Sequence, residues 1–319
     1  MNRIWMNIDP QMQWLFLGLV GVLVVAAVTG FVLSRLVTGE SGRAVVANLN
    51  ARVRAWWVMA LLFAASLGVG SPGTVLLFGM VSFLALREFI TLVPTRQADH
   101  RALFWVFFIF TPLQYYLIGM RWYELFSIMI PVYAFLFLPV RIAWTGDTER
   151  FFERAAKIQW GLMICVYCVS YVPALLTLSI PGFEGQNAKL VLFFTIVVQM
   201  SDVLQYVFGK TMGSHKIAPN VSPNKTWEGF IAGVLSATAL GAGLWWATPF
   251  SPWQAAFLSL LICLMGFEGG LCMAAIKRDR GVKDFGNMLA GHGGILDRID
   301  SICFSAPVFF HVVRYYFTP

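Results

Sequence analysis

Charge is what this chain has least of. Only 12% of its 319 residues are Asp, Glu, Lys or Arg, against ~25% in an ordinary soluble domain. With 58% hydrophobic residues and a mean hydropathy of +0.71, that shortage excludes a water-soluble globular protein. There is no repeat of fixed period, no low-complexity tract and no polar stretch long enough for a soluble domain. Ten-residue segments of alternating hydropathy are also missing, which excludes a transmembrane β-barrel. Cysteine is sparse, at five, and most of these lie in apolar runs as small buried hydrophobes. Cys165 and Cys168 form a C-x-x-C, but mid-span and with no further ligand nearby, so neither zinc nor redox chemistry is expected of it. The net charge of +7 would suggest nucleic acid in a soluble protein. In an apolar chain, loop placement and anionic lipid explain it, and no nucleic-acid partner is expected.

What is present is a series of apolar runs of roughly 17 to 25 residues, the length a helix needs to cross the hydrocarbon layer. They predict an all-α, polytopic integral membrane protein with about ten transmembrane helices, near 14–36, 56–70, 74–93, 102–120, 123–140, 158–180, 189–208, 229–248, 254–276 and 301–317. The second is short enough to pair with the third as a re-entrant hairpin. The chain divides into N-terminal helices, 1–157, and a C-terminal core, 158–319, carrying polar loops at 202–228 and 277–300. Ten spans put loops 37–55, 94–101, 141–157, 209–228 and 277–300 on one side, which together with the span ends at Arg35 and Arg87 collects 19 of the 23 Lys and Arg residues. The other side, with both termini, holds Arg3, Arg121, Lys189 and Arg314. Positive loops stay cytoplasmic, so the two polar loops are expected on the cytoplasmic face and both termini outside.

The segment KRDRGVKDFGNMLAGHGGILDRIDS, from Lys277 to Ser301, gathers five of the 23 Lys and Arg residues. Lys277, Arg278, Arg280 and Lys283 suit phosphate, which arginine binds bidentately. Gly291, Gly293 and Gly294, around His292, let backbone N–H groups approach an anion. Asp297 and Asp300, three apart, fall on one face of the first turn of a helix starting near Ile295. Two carboxylates plus phosphate oxygens would hold Mg²⁺. The other loop supplies Asp202 near the end of a span, then Lys210, His215, Lys216 and Lys225. In it, Ser222-Pro223-Asn224-Lys225-Thr226 reads as a turn into a helix that Thr226 caps, with Glu228 in the first turn. A helix N-terminus beside a lysine is a natural phosphate site. Gly209-Lys210-Thr211 is not a P-loop, because Leu204 stands where the earlier glycine belongs.

The later segment resembles the C-terminal signature of the phosphatidate cytidylyltransferases, a basic pair and K-D followed by H-G-G-x-x-D-R-x-D. It matches at Lys277, Arg278, Lys283, Asp284, His292, Gly293, Gly294, Asp297, Arg298 and Asp300. The stretch GKTMGSHKIAPNVSPNKTWEGF is similar to the family's other block. The resemblance covers roughly residues 202–301. It implies transfer of CMP from CTP to phosphatidate, giving CDP-diacylglycerol and pyrophosphate, in a bacterial inner membrane with the active site cytoplasmic. Mg²⁺ would be held by Asp297 and Asp300. Asp284, Lys283 and His292 would complete the catalytic group. Lys277, Arg278, Arg298, Gly293, Gly294, Lys210, Lys216, Ser222, Lys225, Glu228 and Asp202 would contact substrates, and a homodimer is compatible with this reading. The sequence departs from the family where G-D-x-x-x-S normally precedes the basic pair. Gly270 replaces the Asp and Ala274 the Ser. A catalytically weakened paralogue that still binds lipid phosphate or nucleotide is therefore the alternative.

Overall fold

The computed structural model describes residues 9–288 and 293–319. Among the described residues, ten long helical segments follow the ten predicted spans in order. They are α1 (Pro10–Leu36), α2 (Glu40–Val69), α3 (Ser71–Leu92), α4 (Gln97–Gly119), α5 (Tyr123–Ala143), α6 (Phe151–Thr177), α7 (Asn187–Thr211), α8 (Trp227–Gly243), α9 (Pro252–Asp279) and α10 (Leu296–Phe317). Eight are long and apolar enough to cross a membrane. The other two are α8, which has 17 residues, and α10, whose first turns carry Asp297, Arg298 and Asp300. The chain is thus an all-α polytopic membrane protein, with one addition. A short antiparallel hairpin, β1 (Lys216–Ala218) and β2 (Ser222–Thr226), joins α7 to α8 with Lys216 opposite Thr226.

Several boundaries differ from the sequence reading. Residues 40–55 are not a loop but the first half of the 30-residue α2. Good helix formers carry the helix through a polar stretch that hydropathy alone would leave out, and no short re-entrant segment results. Helix α6 begins at Phe151, well before the apolar run. Arg154 in its first turn is sealed by Asp99 at 3.3 Å and Asp147 at 2.8 Å, and Lys157 pairs with Glu153. Three helices contain π-helical stretches, Val106–Phe110, Met129–Ala134 and Met163–Cys168. The first precedes Pro112 and the second contains Pro131, residues that cannot donate to the helical ladder.

Helix α6 is the centre of the bundle. Two thirds of its apolar window is buried, against 17% for α1 and for α2, whose exposed valines and leucines face outward. Helices α3 and α10 pack on α6; α7, α8 and α9 pack on one another, and α7 and α9 also pack on α10. The α7–α8 contact is close because Gly229 and Gly233 face it. A Cβ at Gly229 would stand 2.7 Å from the Gly209 Cα, and one at Gly233 would stand 2.6 Å from the Gln205 N.

Loops grouped by charge also touch one another. Arg96 reaches Asp147 at 2.9 Å and Glu149 at 2.6 Å, joining 94–101 to 141–157. Arg278 Nε donates to the Val221 carbonyl at 3.2 Å, joining 277–300 to 209–228. At the opposite end Lys189 bonds Asp9, Gln11 and Gln186. There too the Arg314 guanidinium lies 3.6 Å over the Tyr123 ring.

Candidate functional site

The last turn of α9 carries Lys277 and Arg278, and α10 starts at Leu296. Asp297 organises this junction. Its Oδ1 accepts from Lys277 Nζ at 2.8 Å, and its Oδ2 accepts from the N–H groups of Phe285 at 2.8 Å and Gly294 at 2.9 Å. Gly293 has φ +80°, and a Cβ there would lie 2.9 Å from Asp297 Oδ2 and 3.0 Å from the Asp284 Cβ. Glycine is required at this position both by the backbone conformation and by space. Lys283 and Asp284 are exposed in the loop. His292 lies outside the described residues.

Asp300 sits one turn further along α10 and faces a different partner. The Ser301 hydroxyl donates to Asp202 Oδ2 at 2.7 Å and stands 3.5 Å from Asp300 Oδ1, which also accepts from the Ser301 N–H at 2.9 Å. The two carboxylates, on α7 and α10, repel each other across this hydroxyl. Lys277, Lys225 and Arg298 supply the opposing positive charge. Lys225 projects from β2 into the same space. Its Nζ donates to the Phe267 carbonyl at 3.2 Å and lies 4.2 Å from the centre of the Phe267 ring. Burial pushes its pKa down, against the pull of Asp202 and Asp300. Gly270 opens onto this cluster, since a Cβ there would stand 3.1 Å from Lys225 Nζ and 3.8 Å from Ser301 Oγ.

The structure therefore gives the two predicted metal carboxylates different surroundings. Asp297 is committed to three protein donors. Among the described residues, the hydrogen bonds to Asp202 and Asp300 come from Ser301 alone, and a carboxylate has about four acceptor positions. No group of three His, Cys, Asp or Glu side chains among the described residues forms a ready cage for a metal ion. The Asp202–Asp300 pair nevertheless fits a hard cation that takes one or two protein carboxylates and fills its shell with phosphate oxygens and water.

The remaining predicted residues form the rim. Lys210 ends α7 and Lys216 lies in β1, both exposed, and Ser222 pairs with Ala218 at the start of β2. Thr226 caps α8 by accepting from the Gly229 N–H at 3.2 Å. Glu228 is turned to the hairpin, accepting from the Ser214 N–H at 3.1 Å, the His215 N–H at 3.2 Å and the His215 ring at 2.5 Å. Arg278 bonds the Val221 and Val282 carbonyls through its guanidinium.

Two residues at the site lie outside the set predicted from the sequence, Ser301 and Glu88. Glu88, on α3, is 7% exposed and receives the N–H groups of Ile295 at 3.0 Å and Leu296 at 2.9 Å. An acid inside an apolar run was the available signal. Beside Glu88 a cleft of about 300 Å³ opens between Arg87 and Thr91 on α3 and the 285–288 segment.

The sequence pattern of the Cytidylyltransferase family matches residues 50–316. The chain is 38% identical over 298 residues to "Uncharacterized protein YnbB" of Escherichia coli (strain K12), covering 92% of this chain and 95% of that protein. It is 41% identical over 127 residues to a phosphatidate cytidylyltransferase of Staphylococcus aureus (strain COL), 39% of this chain and 49% of that protein. A phosphatidate cytidylyltransferase of Staphylococcus haemolyticus is 39% identical over 146 residues, 45% of this chain and 56% of that protein. The likeness to these two enzymes thus spans about half of each. With the family pattern matched across most of its length, the chain belongs to the cytidylyltransferase family.

Proposed function

We propose that the chain transfers CMP from CTP to phosphatidate at the membrane surface, releasing pyrophosphate. The observation that carries this reading is the Asp202–Ser301–Asp300 centre. It sets two carboxylates among Lys225, Lys277 and Arg298, beside a rim of exposed cations. The partial likeness to phosphatidate cytidylyltransferases supports the choice of lipid and nucleotide.

In the reaction a phosphate oxygen of phosphatidate attacks the α-phosphorus of CTP. A P–O bond forms there, the bond to the β-phosphate's bridging oxygen breaks, and pyrophosphate leaves with that electron pair. A phosphate monoester is largely dianionic near pH 7, its second pKa being about 6. The attacking oxygen then carries no proton, and no general base is needed. Positioning and charge neutralisation do most of the work in such transfers. Mg²⁺, when bound, would supply positive charge to offset that of the phosphates. Asp202 and Asp300 would hold it, and the Ser301 hydroxyl keeps their oxygens in place. Lys225 offers a desolvated ammonium to the triphosphate. Lys283, Arg278, Lys210 and Lys216, on the exposed rim, would steer CTP and the lipid phosphate. Asp297 holds Lys277 and the backbone N–H groups of Phe285 and Gly294 in register. Charge asymmetry supports a cytoplasmic placement for this end of the bundle, where CTP is available.

Gly270 favours a second reading. A side chain at 270 would point at Lys225 and Ser301, so its absence removes a group from the centre itself. In a weakened paralogue the site would bind phosphates and turn over slowly, and Gly270→Asp would raise turnover. The deciding experiment supplies purified protein in detergent micelles with phosphatidate, labelled CTP and Mg²⁺, beside Asp300→Asn. The proposal expects CDP-diacylglycerol and pyrophosphate in equal amounts from the wild type and almost none from the variant. Tight CTP binding without product, relieved by Gly270→Asp, supports the second reading. Neither binding nor product rejects both.

A further inference from the structure

We infer that Glu88 is a positioning residue for this site, holding the start of α10, and with it Asp300 and Ser301, from a helix in the other half of the chain. This rests on the proposed CMP transfer. A helix leaves its first N–H groups without intrahelical partners, and the usual remedy is a Ser, Thr, Asp or Asn just before it. Here the residue preceding α10 is Ile295, whose side chain cannot cap. Three successive N–H groups are nonetheless satisfied by carboxylates. Gly294 donates to Asp297, while Ile295 and Leu296 each donate to one oxygen of Glu88. The Glu88 partners lie 207 and 208 residues away in sequence.

The fit around Glu88 is close. A Cβ at Gly286 would stand 2.7 Å from Glu88 Oε1, and one at Gly294 would stand 2.7 Å from its carboxyl carbon. Gly286 and Gly294 therefore both accommodate this one side chain. An acid in an apolar helix is costly unless it has a specific partner, and here the partner is the helix terminus that carries the site. Both carboxylate oxygens are engaged, so Glu88 acts through α10 rather than on substrate. Helix α3 packs on the central α6, so the bond refers Asp300 to the most deeply buried part of the bundle.

The test uses the purified full-length chain with Glu88→Gln, which keeps the shape but replaces one acceptor oxygen by a donor. Gly286→Ala crowds the same carboxylate from the opposite side and serves as the second variant. Two quantities are read, steady-state CTP turnover and amide hydrogen exchange across 293–301, with α6 as internal control. Misplacing a reacting group by about 1 Å costs on the order of 100-fold. The expected result is a fall in kcat of about that size with little change in KM for CTP, and faster exchange confined to 293–301. Unchanged exchange there, or exchange raised equally through α6, overturns the positioning role, as does a normal kcat in both variants. A wild type without turnover rejects the proposed reaction instead, and the exchange comparison then decides whether Glu88 holds α10.

Discussion

Replacing Asp297 by Asn should release the loop between α9 and α10, and the size of the effect follows from its partners. The Asp297 side chain is 3% exposed and that of Lys277 13%, so solvent screens the pair little. Asn keeps the volume but not the charge, leaving a largely buried ammonium poorly compensated. Breaking one side of a buried ion pair costs about 3–5 kcal/mol. Lys277→Met is milder, because Asp297 keeps the N–H groups of Phe285 and Gly294. Loss of one hydrogen bond to a charged group costs about 1.5–3 kcal/mol. The double variant removes both charges together, so its cost should fall short of the sum by roughly 0.5–3 kcal/mol. Local opening is read by hydrogen exchange at Phe285 and Gly294. Asp297→Asn should accelerate it about 100-fold or more, ~1.4 kcal/mol being a factor of ten. Strict additivity of the two substitutions, or exchange at the wild-type rate in Asp297→Asn, would refute the assignment of Asp297 as the organiser of this junction.

Further outcomes are expected elsewhere. Ser301→Ala removes the hydroxyl that donates to Asp202. At about 1.5–3 kcal/mol for such a bond, CTP turnover should fall by roughly 10-fold or more with the fold intact by circular dichroism. The hydrogen bond from Arg154 holds the Asp147 carboxyl below its ordinary value of 3.8. A depressed acid contributes stability that is present above its unfolded pKa and lost as pH falls through the folded one. The clasp between 94–101 and 141–157 should thus persist at neutral pH and loosen below about pH 4. Limited proteolysis of these loops against pH checks this, and Asp147→Asn should abolish the acid-dependent step.

The helices were largely legible because a bilayer-length apolar run leaves a helix few alternatives. The thin places were those where hydropathy is silent. Residues 40–55 are polar yet helical, and α6 starts before its apolar run because Arg154 finds Asp99 and Asp147. The β1–β2 hairpin hid inside what read as turn chemistry. The site was legible as a set of residues but not as an arrangement. Asp297 and Asp300 look equivalent in sequence, three apart on one helix, and only the fold shows one facing Lys277 and the other facing Asp202. That second contact joins residues far apart in the chain, which local spacing cannot reveal. Glu88 differs, because an acid amid FLALREFITL was itself a signal, and what the sequence withheld was its partner.

The most direct test is a Mg²⁺ titration of CDP-diacylglycerol formation by the wild type and by Asp202→Asn, at saturating CTP and phosphatidate. If Asp202 and Asp300 form the centre, the variant should need at least about 10-fold more Mg²⁺ or lose turnover altogether, with α7 and α10 still packed. A Mg²⁺ curve in Asp202→Asn that overlays the wild type would contradict the account, as would a wild type that makes no CDP-diacylglycerol at any Mg²⁺ concentration.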